Sequence, residues 1–159
     1  RKRSLYEGGV RVPSVVEWPG TLQPREVDAP CVSSDYFPTI SAVLDLPLSK
    51  RPYDGINILP ILKGVQKQRG RAIGFRFGKD RTLVNDRYKL IHNMGGLKRR
   101  RSDNGKVPVT EFELYDLSVD PSETMNISDR SPEVVARMKD ELAAFVRSCE
   151  ASADGADYR

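Results

Sequence analysis

Hydrophobic residues in the first 70 positions form runs separated by proline and glycine. The run from Val10 to Trp18 is mostly apolar and β-branched and ends at Pro19-Gly20, which predicts a buried strand. Pro13 lies inside this run and indicates a bend. The polar, proline-containing stretch from Thr21 to Val32 is typical of a loop.

A helix is expected next. Ser33-Ser34-Asp35 offers an N-cap, Pro38 is tolerated in a first turn, and the helix should stop before Pro47. The apolar positions with helical spacing are Tyr36, Phe37, Ile40, Val43 and Leu44. A turn and a short apolar segment, "YDGINILPILKG", follow and close at Gly64. A strand, a loop and a helix in this order suit the last part of an α/β layered domain.

From Arg71 onward the pattern changes to alternation. In "AIGFRFG", apolar and other residues take turns, and "RTLVNDRYKLIHNM" predicts two strands around a tight turn at Asn85-Asp86. A further short strand is expected at "FELYDL", after a long polar loop from Gly95 to Val109. Alternating strands with short turns indicate an antiparallel sheet with one solvated face.

The last element is a long helix, predicted over residues 132–150. Ser131 is a candidate cap, Pro132 suits the first helical position, and Glu133 adds a favourable charge to the first turn. One apolar stripe should pack across the sheet; it consists of Val135, Met138, Leu142, Phe145, Val146 and Cys149. The final nine residues, "ASADGADYR", are expected to be frayed.

Composition adds a limit and one local feature. The 159 residues are 38% hydrophobic and 30% charged, which permits a packed core. No apolar run approaches the roughly 18 to 20 residues that span a bilayer, so no membrane partner is expected. The net charge of +4 equals the excess in one basic loop, where Lys98, Arg99, Arg100, Arg101 and Lys106 outnumber Asp103.

Cysteine and histidine give little sign of chemistry by themselves. Cys31 and Cys149 are far apart and lack metal-ligand spacing, which argues against a zinc site but leaves a disulfide between them open. Cys149 falls on the apolar face of the last helix, where a buried thiol is the simpler interpretation. His92, the single histidine, is expected to be packed on the sheet or at its edge.

A family resemblance rests on five segments in series. "KRSLYEGGVRVP" is similar to the sulfatase pattern Lys-x-x-x-x-Glu-Gly-Gly-x-Arg-x-Pro, with Lys2 and Glu7 five positions apart. "SSDYFPTISAVLDLP", "DGINILPILKG", "RTLVNDRYKLI" and "ELYDLSVDPSETMNIS" resemble later sulfatase segments and occur in family order. Together these matches cover most of residues 2 to 128.

The resemblance implies a sulfuric ester hydrolase with an α/β, alkaline phosphatase-like fold, of which this chain is the C-terminal portion. In the family, a cysteine converted to formylglycine attacks sulfur, and a calcium ion with Lys and His side chains binds the sulfate. Lys2 matches the family lysine that contacts a sulfate oxygen, a role that suits a compact ammonium. Cys31 is not the nucleophile, because Ser33 and Asp35 stand where the formylglycine motif needs Pro and Arg.

The other catalytic residues and the calcium ligands have no counterpart here, so we expect them upstream of Arg1 and the chain alone to be inactive. Residues 1–68 would end the catalytic α/β domain, and residues 69–159 would form a C-terminal subdomain. Residues 1–68 alone should be poorly soluble or disordered, whereas the unit from Arg71 to Glu150 should fare better. The parent is expected to be periplasmic, secreted or lysosomal.

Other functions stay open at this point. The chain could be a non-catalytic module whose basic loop binds polyanions, or part of a phosphatase or phosphonate hydrolase of the same superfamily. The expected ligand is a sulfated small molecule or glycan. Nucleic acid is disfavoured because no stacking aromatic residues accompany the basic run. Asn126-Ile127-Ser128 fits a glycosylation acceptor, a match that is frequent by chance.

Overall fold

The computed structural model describes residues 4–94, 100–102, 105–107 and 110–158. Three short helices come first: α1 (Glu7–Val10), α2 (Tyr36–Val43), which follows a 3₁₀ turn at Ser33–Asp35, and α3 (Leu59–Leu62). The strands are β1 (Ile73–Phe77), β2 (Asp80–Val84), β3 (Tyr88–His92), β4 (Arg100–Ser102), β5 (Gly105–Val107) and β6 (Phe112–Asp116). A 3₁₀ turn at Ser128–Arg130 precedes the long helix α4 (Pro132–Ala153), and another at Ala156–Tyr158 follows it.

Four strands form an antiparallel sheet in the order β1-β2-β3-β6. The predicted strands and the turn after Val84 are confirmed: the Asn85 side chain accepts hydrogen bonds from the backbone N–H groups of Arg87 and Tyr88, at 2.9 and 2.6 Å. The expected polar loop from Gly95 to Val109 contains a hairpin, because β4 and β5 pair as a separate two-stranded sheet.

Helix α4 covers one face of the four-stranded sheet, as its apolar stripe predicts. Leu83, Leu90 and Leu114 are register partners on adjacent strands and pack against Met138 and Leu142 of the helix. These five side chains are nearly free of solvent contact. Burial of a side chain of this size contributes about 1.5–3 kcal/mol. The predicted helix is confirmed and extends three residues beyond its predicted end at Glu150. Ser131 precedes it, but makes no side-chain capping bond.

The opposite face of the sheet is not solvated, so that part of the sequence prediction is wrong. Lys89, Ile91 and Glu113 lie on this face and are 0%, 1% and 3% exposed. Alternation predicts that the polar side chains of a strand face solvent, but it does not report other parts of the chain that cover them. They are instead buried against the N-terminal segment, whose contacts are described below.

The strand predicted from Val10 to Trp18 is also wrong. Val10 ends the short helix α1, and no strand forms between Arg11 and Trp18 in the described chain. Val12 and Val15 are 76% and 92% exposed. A strand needs a neighbour to receive its backbone hydrogen bonds, and none of the described residues supplies one here.

Helix α2 forms where predicted, but its apolar stripe faces outward. The stripe residues Tyr36, Phe37, Ile40, Val43 and Leu44 are all exposed, with Ile40 at 57%. The buried side of the helix carries Pro38 and Ser41 instead. We call the five exposed side chains the outer face of α2.

Replacement of Gly74 in β1 by alanine should lower the free energy of unfolding by about 1–3 kcal/mol. An alanine Cβ there would lie 2.4 Å from Cε1 of Phe145 in α4, too close for a side chain contact. Urea unfolding measures the change. Phe145→Leu in the Gly74→Ala background should recover part of the loss, whereas Lys79→Ala in the exposed β1–β2 turn should have little effect. If Gly74→Ala lowered the free energy of unfolding equally in the wild type and in the Phe145→Leu background, the close contact would be contradicted.

Candidate functional site

The N-terminal segment, residues 4–10, lies on the sheet face opposite α4. Leu5 is buried, and the Tyr6 hydroxyl donates a hydrogen bond of 2.5 Å to Oε2 of Glu113 in β6. The Tyr115 hydroxyl donates to the same oxygen at 2.9 Å. The rings of Tyr6 and Tyr115 meet edge to face, with centroids 6.2 Å apart. The segment therefore has fixed side-chain contacts to strand β6.

A buried ammonium group joins the same segment to two other parts of the chain. Nζ of Lys89 in β3 lies 2.9 Å from Oε1 of Glu7 and 2.9 Å from Oε1 of Glu123. The Lys89 side chain is 0% exposed. Oε2 of Glu123 accepts a 2.7 Å hydrogen bond from the backbone N–H of Glu7. We call Tyr6, Glu7, Lys89, Glu113, Tyr115 and Glu123 the anchor network.

A tight turn after β6 aims the Glu123 carboxylate inward. Glu123 has φ +54°, in the left-handed region that non-glycine residues rarely adopt. Asp120 stabilises the turn: its carboxylate accepts from the N–H groups of Thr124 and Met125, at 3.1 and 2.8 Å, and from the Thr124 hydroxyl at 3.0 Å. The backbone N–H of Glu123 donates to the Asp120 carbonyl. The turn thus holds a strained residue in place.

Burial and charge pairing have opposite effects on the pKa of Glu123 in the anchor network. Burial raises the pKa of Glu123 above its ordinary value, while the Lys89 ammonium and the N–H of Glu7 act in the opposite direction. Two carboxylates face one ammonium, and Arg11 adds a second positive charge at 3.8 Å from Glu7. The two ion pairs of Lys89 lie inside the protein, whereas the Arg11 side chain that approaches Glu7 is exposed.

A second buried ion pair joins the start of α2 to the segment before the sheet. Nη1 and Nη2 of Arg69 donate to Oδ2 and Oδ1 of Asp35 at 2.5 and 2.8 Å, and neither side chain is exposed. The Asp35 carboxylate also accepts from the N–H groups of Val32 and Ile56, at 2.9 and 2.8 Å. Asp35, expected to cap α2, makes no side-chain bond to that helix.

Burial by itself would raise the pKa of Asp35, but the hydrogen bonds from Arg69 and from the backbone N–H groups outweigh it. The pKa of this carboxyl is therefore below its ordinary value. Asp35 is ionised at neutral pH and its negative charge is fully paired. Its role is structural: the ion pair connects the start of α2 to the segment that contains Arg69.

Cys149 and His92 lie in packed positions, whereas Cys31 is exposed. Cys31 and Cys149 are both free, so the disulfide left open by the sequence is not formed. Desolvation raises the pKa of both thiols, which disfavours the reactive thiolate. Cys149 is partly buried on α4. The His92 ring stacks on Phe112 with centroids 4.1 Å apart, as expected for a packed histidine.

Two sequence hypotheses fall outside the described residues. Lys2, the predicted sulfate contact, precedes the first described residue, Ser4, and the side chains of the basic loop from Lys98 to Lys106 are not described either. Asn126 of the glycosylation match is described. Its Oδ1 accepts from the N–H groups of Leu114 and Ser128, both at 3.0 Å, so this amide has a structural use.

The sequence did not single out Lys89, Glu123 or Arg69. Lys89 and Glu123 lie inside segments that carry the family resemblance, but an alternating pattern predicts that a charged residue in a strand faces solvent. The position of Lys89 next to Leu90 and Ile91, in an otherwise apolar strand, was the available indication. Its two acidic partners are 82 and 34 residues away, a separation that local patterns do not report.

The acidic side chains do not form a metal-binding group in the described part of the chain. Across the described residues, no three His, Cys, Asp or Glu side chains are grouped so that they could hold a metal ion. The acidic side chains at the sheet are committed to Lys89 and to tyrosine hydroxyls. This part of the chain does not fit a calcium site. Nor does any described helix have the length and apolar character needed to cross a membrane.

Comparison with known proteins gives the family. A family model described as N-sulphoglucosamine sulphohydrolase, C-terminal, matches residues 1–148. The chain therefore belongs to this family of sulfatase C-terminal domains. It is 28% identical over 148 residues to N-acetylgalactosamine-6-O-sulfatase of Bacteroides thetaiotaomicron, covering 89% of this chain and 28% of the relative. It is 30% identical over 166 residues to human arylsulfatase A, covering 87% of this chain and 31% of the relative.

Solved structures agree with the sequence relatives. A protein from a Bacteroides thetaiotaomicron locus for glycosaminoglycan metabolism superposes with a TM-score of 0.73 at 28% identity, covering 94% of this chain and 31% of that one. A 2-O GAG sulfatase superposes with a TM-score of 0.50 at 19% identity, over 76% of this chain and 26% of that one, a likeness of fold. The expected fold class, the C-terminal portion of an alkaline phosphatase-like sulfatase, is confirmed. The chain spans less than a third of the length of these relatives.

Removing the charge of Asp35 should strongly destabilise the fold. Asp35→Asn leaves the buried Arg69 guanidinium without its counter-charge, so we expect the free energy of unfolding at pH 7 to fall by about 3–5 kcal/mol. Because the folded-state pKa of Asp35 is lowered, its contribution is present above the unfolded pKa of about 3.9 and is lost as pH falls through the folded value.

Urea unfolding between pH 3 and pH 7 tests both parts of this prediction. The Asp35→Asn protein should lose less stability than the wild type as the pH is lowered below about 4. Asp140→Asn, at an exposed position of α4, is the matched control and should follow the wild-type curve. Parallel curves for Asp35→Asn and the wild type would refute the assigned role.

Proposed function

We propose that the chain is the C-terminal part of a sulfatase that hydrolyses sulfate esters of carbohydrates. The observation that carries the proposal is the family match over residues 1–148, which includes the Lys2 segment. The names of the relatives support the substrate class: one is an N-acetylgalactosamine-6-O-sulfatase, and another comes from a locus for glycosaminoglycan metabolism. Which sulfated sugar this protein would use depends on residues elsewhere in the polypeptide.

The part that we assign to this chain is one positive charge. Lys2 would bind a sulfate oxygen through its ammonium group, and it would stabilise negative charge that builds up on the ester as the bond to the leaving oxygen breaks. The segment immediately after it is held on the sheet by the anchor network. This attachment gives residues 4–10, which follow the lysine in the sequence, a defined place on the sheet.

The covalent chemistry would come from upstream of Arg1. We propose that formylglycine and the calcium ligands lie there, since the chain spans less than a third of the length of its relatives. When bound, calcium would supply a positive charge that polarises the sulfate. The contribution of this chain would be to orient the sulfate through Lys2 and to form one wall of the cleft.

The domain division stays a proposal: residues 1–68 as the end of the catalytic domain and residues 69–159 as the C-terminal subdomain. Contacts cross this boundary in the anchor network and in the Asp35–Arg69 pair. The outer face of α2 lies in the first part, and we propose that it packs on the rest of the catalytic domain. A parent of this class is proposed to be periplasmic, secreted or lysosomal.

The charge of Lys2 is tested by Lys2→Ala in the complete protein. Turnover of a panel of sulfated sugars should lose about 10²–10³-fold in kcat/KM, because one preorganised contact to the developing charge is removed. Lys79→Ala, an exposed lysine in the β1–β2 turn, is the control and should retain full activity. A panel of phosphate and phosphonate monoesters run in parallel distinguishes a phosphatase. Unchanged sulfatase turnover after Lys2→Ala would refute the assigned role.

The outer face of α2 is tested by placing a charge in it. Ile40→Glu should lower the melting temperature of the complete protein, because the charge would be buried where the face packs on the catalytic domain. In the isolated 159-residue chain, where Ile40 is exposed, the same change should reduce self-association in light scattering. Lys50→Glu, at a nearby exposed position, is the control. An unaltered melting temperature in the complete protein would contradict the proposed packing.

A further inference from the structure

Glu123 makes an unusually distant connection. Both of its carboxylate oxygens are used: Oε2 accepts from the backbone N–H of Glu7, 116 residues away in the chain, and Oε1 pairs with Lys89. The bond to Glu7 is to the backbone, so it fixes the path of the N-terminal segment and not merely one side chain. Glu7 returns a second contact, from Oε1 to Lys89.

Glu123 has an unfavourable backbone conformation, and its side chain makes the contacts to Glu7 and Lys89 from that position. Its φ of +54° is a conformation that glycine adopts readily, whereas it is unfavourable for other residues. Glycine, however, would provide no carboxylate for Glu7 and Lys89. The Asp120 hydrogen bonds hold the turn in this conformation. The strained position therefore serves the contact to the N-terminal segment.

Lys89 gives the connection a rigid base. It lies in β3, an inner strand of the sheet, and its register partner is Tyr115 of β6. A buried ammonium with two carboxylates is a costly arrangement, and well-packed apolar side chains often stabilise a fold as well or better. What the charged arrangement adds is directionality, because it allows one position of Glu7 relative to the sheet.

We propose that Glu123 and Lys89 are positioning residues, which act through the N-terminal segment to hold Lys2 in register with the sulfate group. This inference rests on the proposed function. Glu7 follows Lys2 by five residues in the sequence, so the proposal is that the place of Glu7 on the sheet limits where the lysine can bind. A misplacement of about 1 Å at a catalytic contact can cost about 100-fold in rate.

The test uses the complete protein and hydrolysis of 4-nitrophenyl sulfate. Glu123→Gln has nearly the same shape but lacks the charge, and it should lower kcat/KM by about 10- to 100-fold while the protein stays folded. Lys89→Met should have a similar effect, and Lys89→Arg should restore part of the activity because it keeps the charge. The Ki of inorganic sulfate as a competitive inhibitor should rise in Glu123→Gln.

The decisive measurement is a double-mutant cycle with Lys2. If Glu123 acts through Lys2, then Glu123→Gln should have little further effect in the Lys2→Ala background, because the group that it positions is gone. Additive losses would overturn the inference. Tyr6→Phe removes one hydroxyl contact from the same segment. If Glu123→Gln does not fold, Tyr6→Phe takes its place in the double-mutant cycle with Lys2→Ala.

Two controls separate positioning from general loss of stability. Leu142→Ala creates a cavity on the other face of the sheet, and it should lower the melting temperature without changing kcat/KM. Glu150→Gln removes an exposed carboxylate from α4 and should change neither. Wild-type kinetics in folded Glu123→Gln would overturn the inference and leave the proposed function intact. Full activity of Lys2→Ala would overturn both.

Discussion

The rest of the structure depends on the two buried ion pairs that the ammonium group of Lys89 makes. This ammonium group is removed from water and paired with Glu7 and Glu123, which are 116 residues apart in the sequence. A buried charge that lost either partner would be strongly unfavourable, so the N-terminal segment, the sheet and the turn after β6 must come together as one unit. The pair formed by Asp35 and Arg69 applies the same constraint to helix α2. Charge pairing thus joins regions that are distant in the sequence.

Different interactions therefore stabilise the two faces of the sheet. The face under α4 is apolar, and its leucines pack on Met138 and Leu142, an arrangement that tolerates hydrophobic exchange if volume is kept. The opposite face buries polar side chains beside the apolar Ile91, with Lys89 and Glu113 at 0% and 3% exposure. Hydrogen bonds and ion pairs of defined length permit few alternative arrangements. This face is the one that carries the segment with the proposed catalytic lysine.

The sequence predicted the second half of the chain well, because β1, β2, β3 and α4 have clear local periodicity and the turn at Asn85 has specific chemistry. It was wrong about Val10 to Trp18, since an apolar run can be a strand only where another strand accepts its hydrogen bonds. It was also wrong about the solvated face: a charged residue in a strand is buried if a partner arrives from elsewhere, and Glu123 lies 34 residues from Lys89. The family resemblance located the Lys2 segment, but its attachment to the sheet is a long-range property that one sequence does not display.

Strands β3 and β6 are neighbours in the sheet although the chain makes a detour between them. Their ladder is closed at its end by Asn93, whose backbone N–H donates to the Glu111 carbonyl at 2.8 Å and whose side chain donates to the Thr110 carbonyl at 2.9 Å. Because the ladder is complete without the intervening residues, the detour can change in length or composition at little thermodynamic cost. Evolution could therefore diversify this excursion while the scaffold stays constant, and a protein engineer could splice a reporter peptide into it.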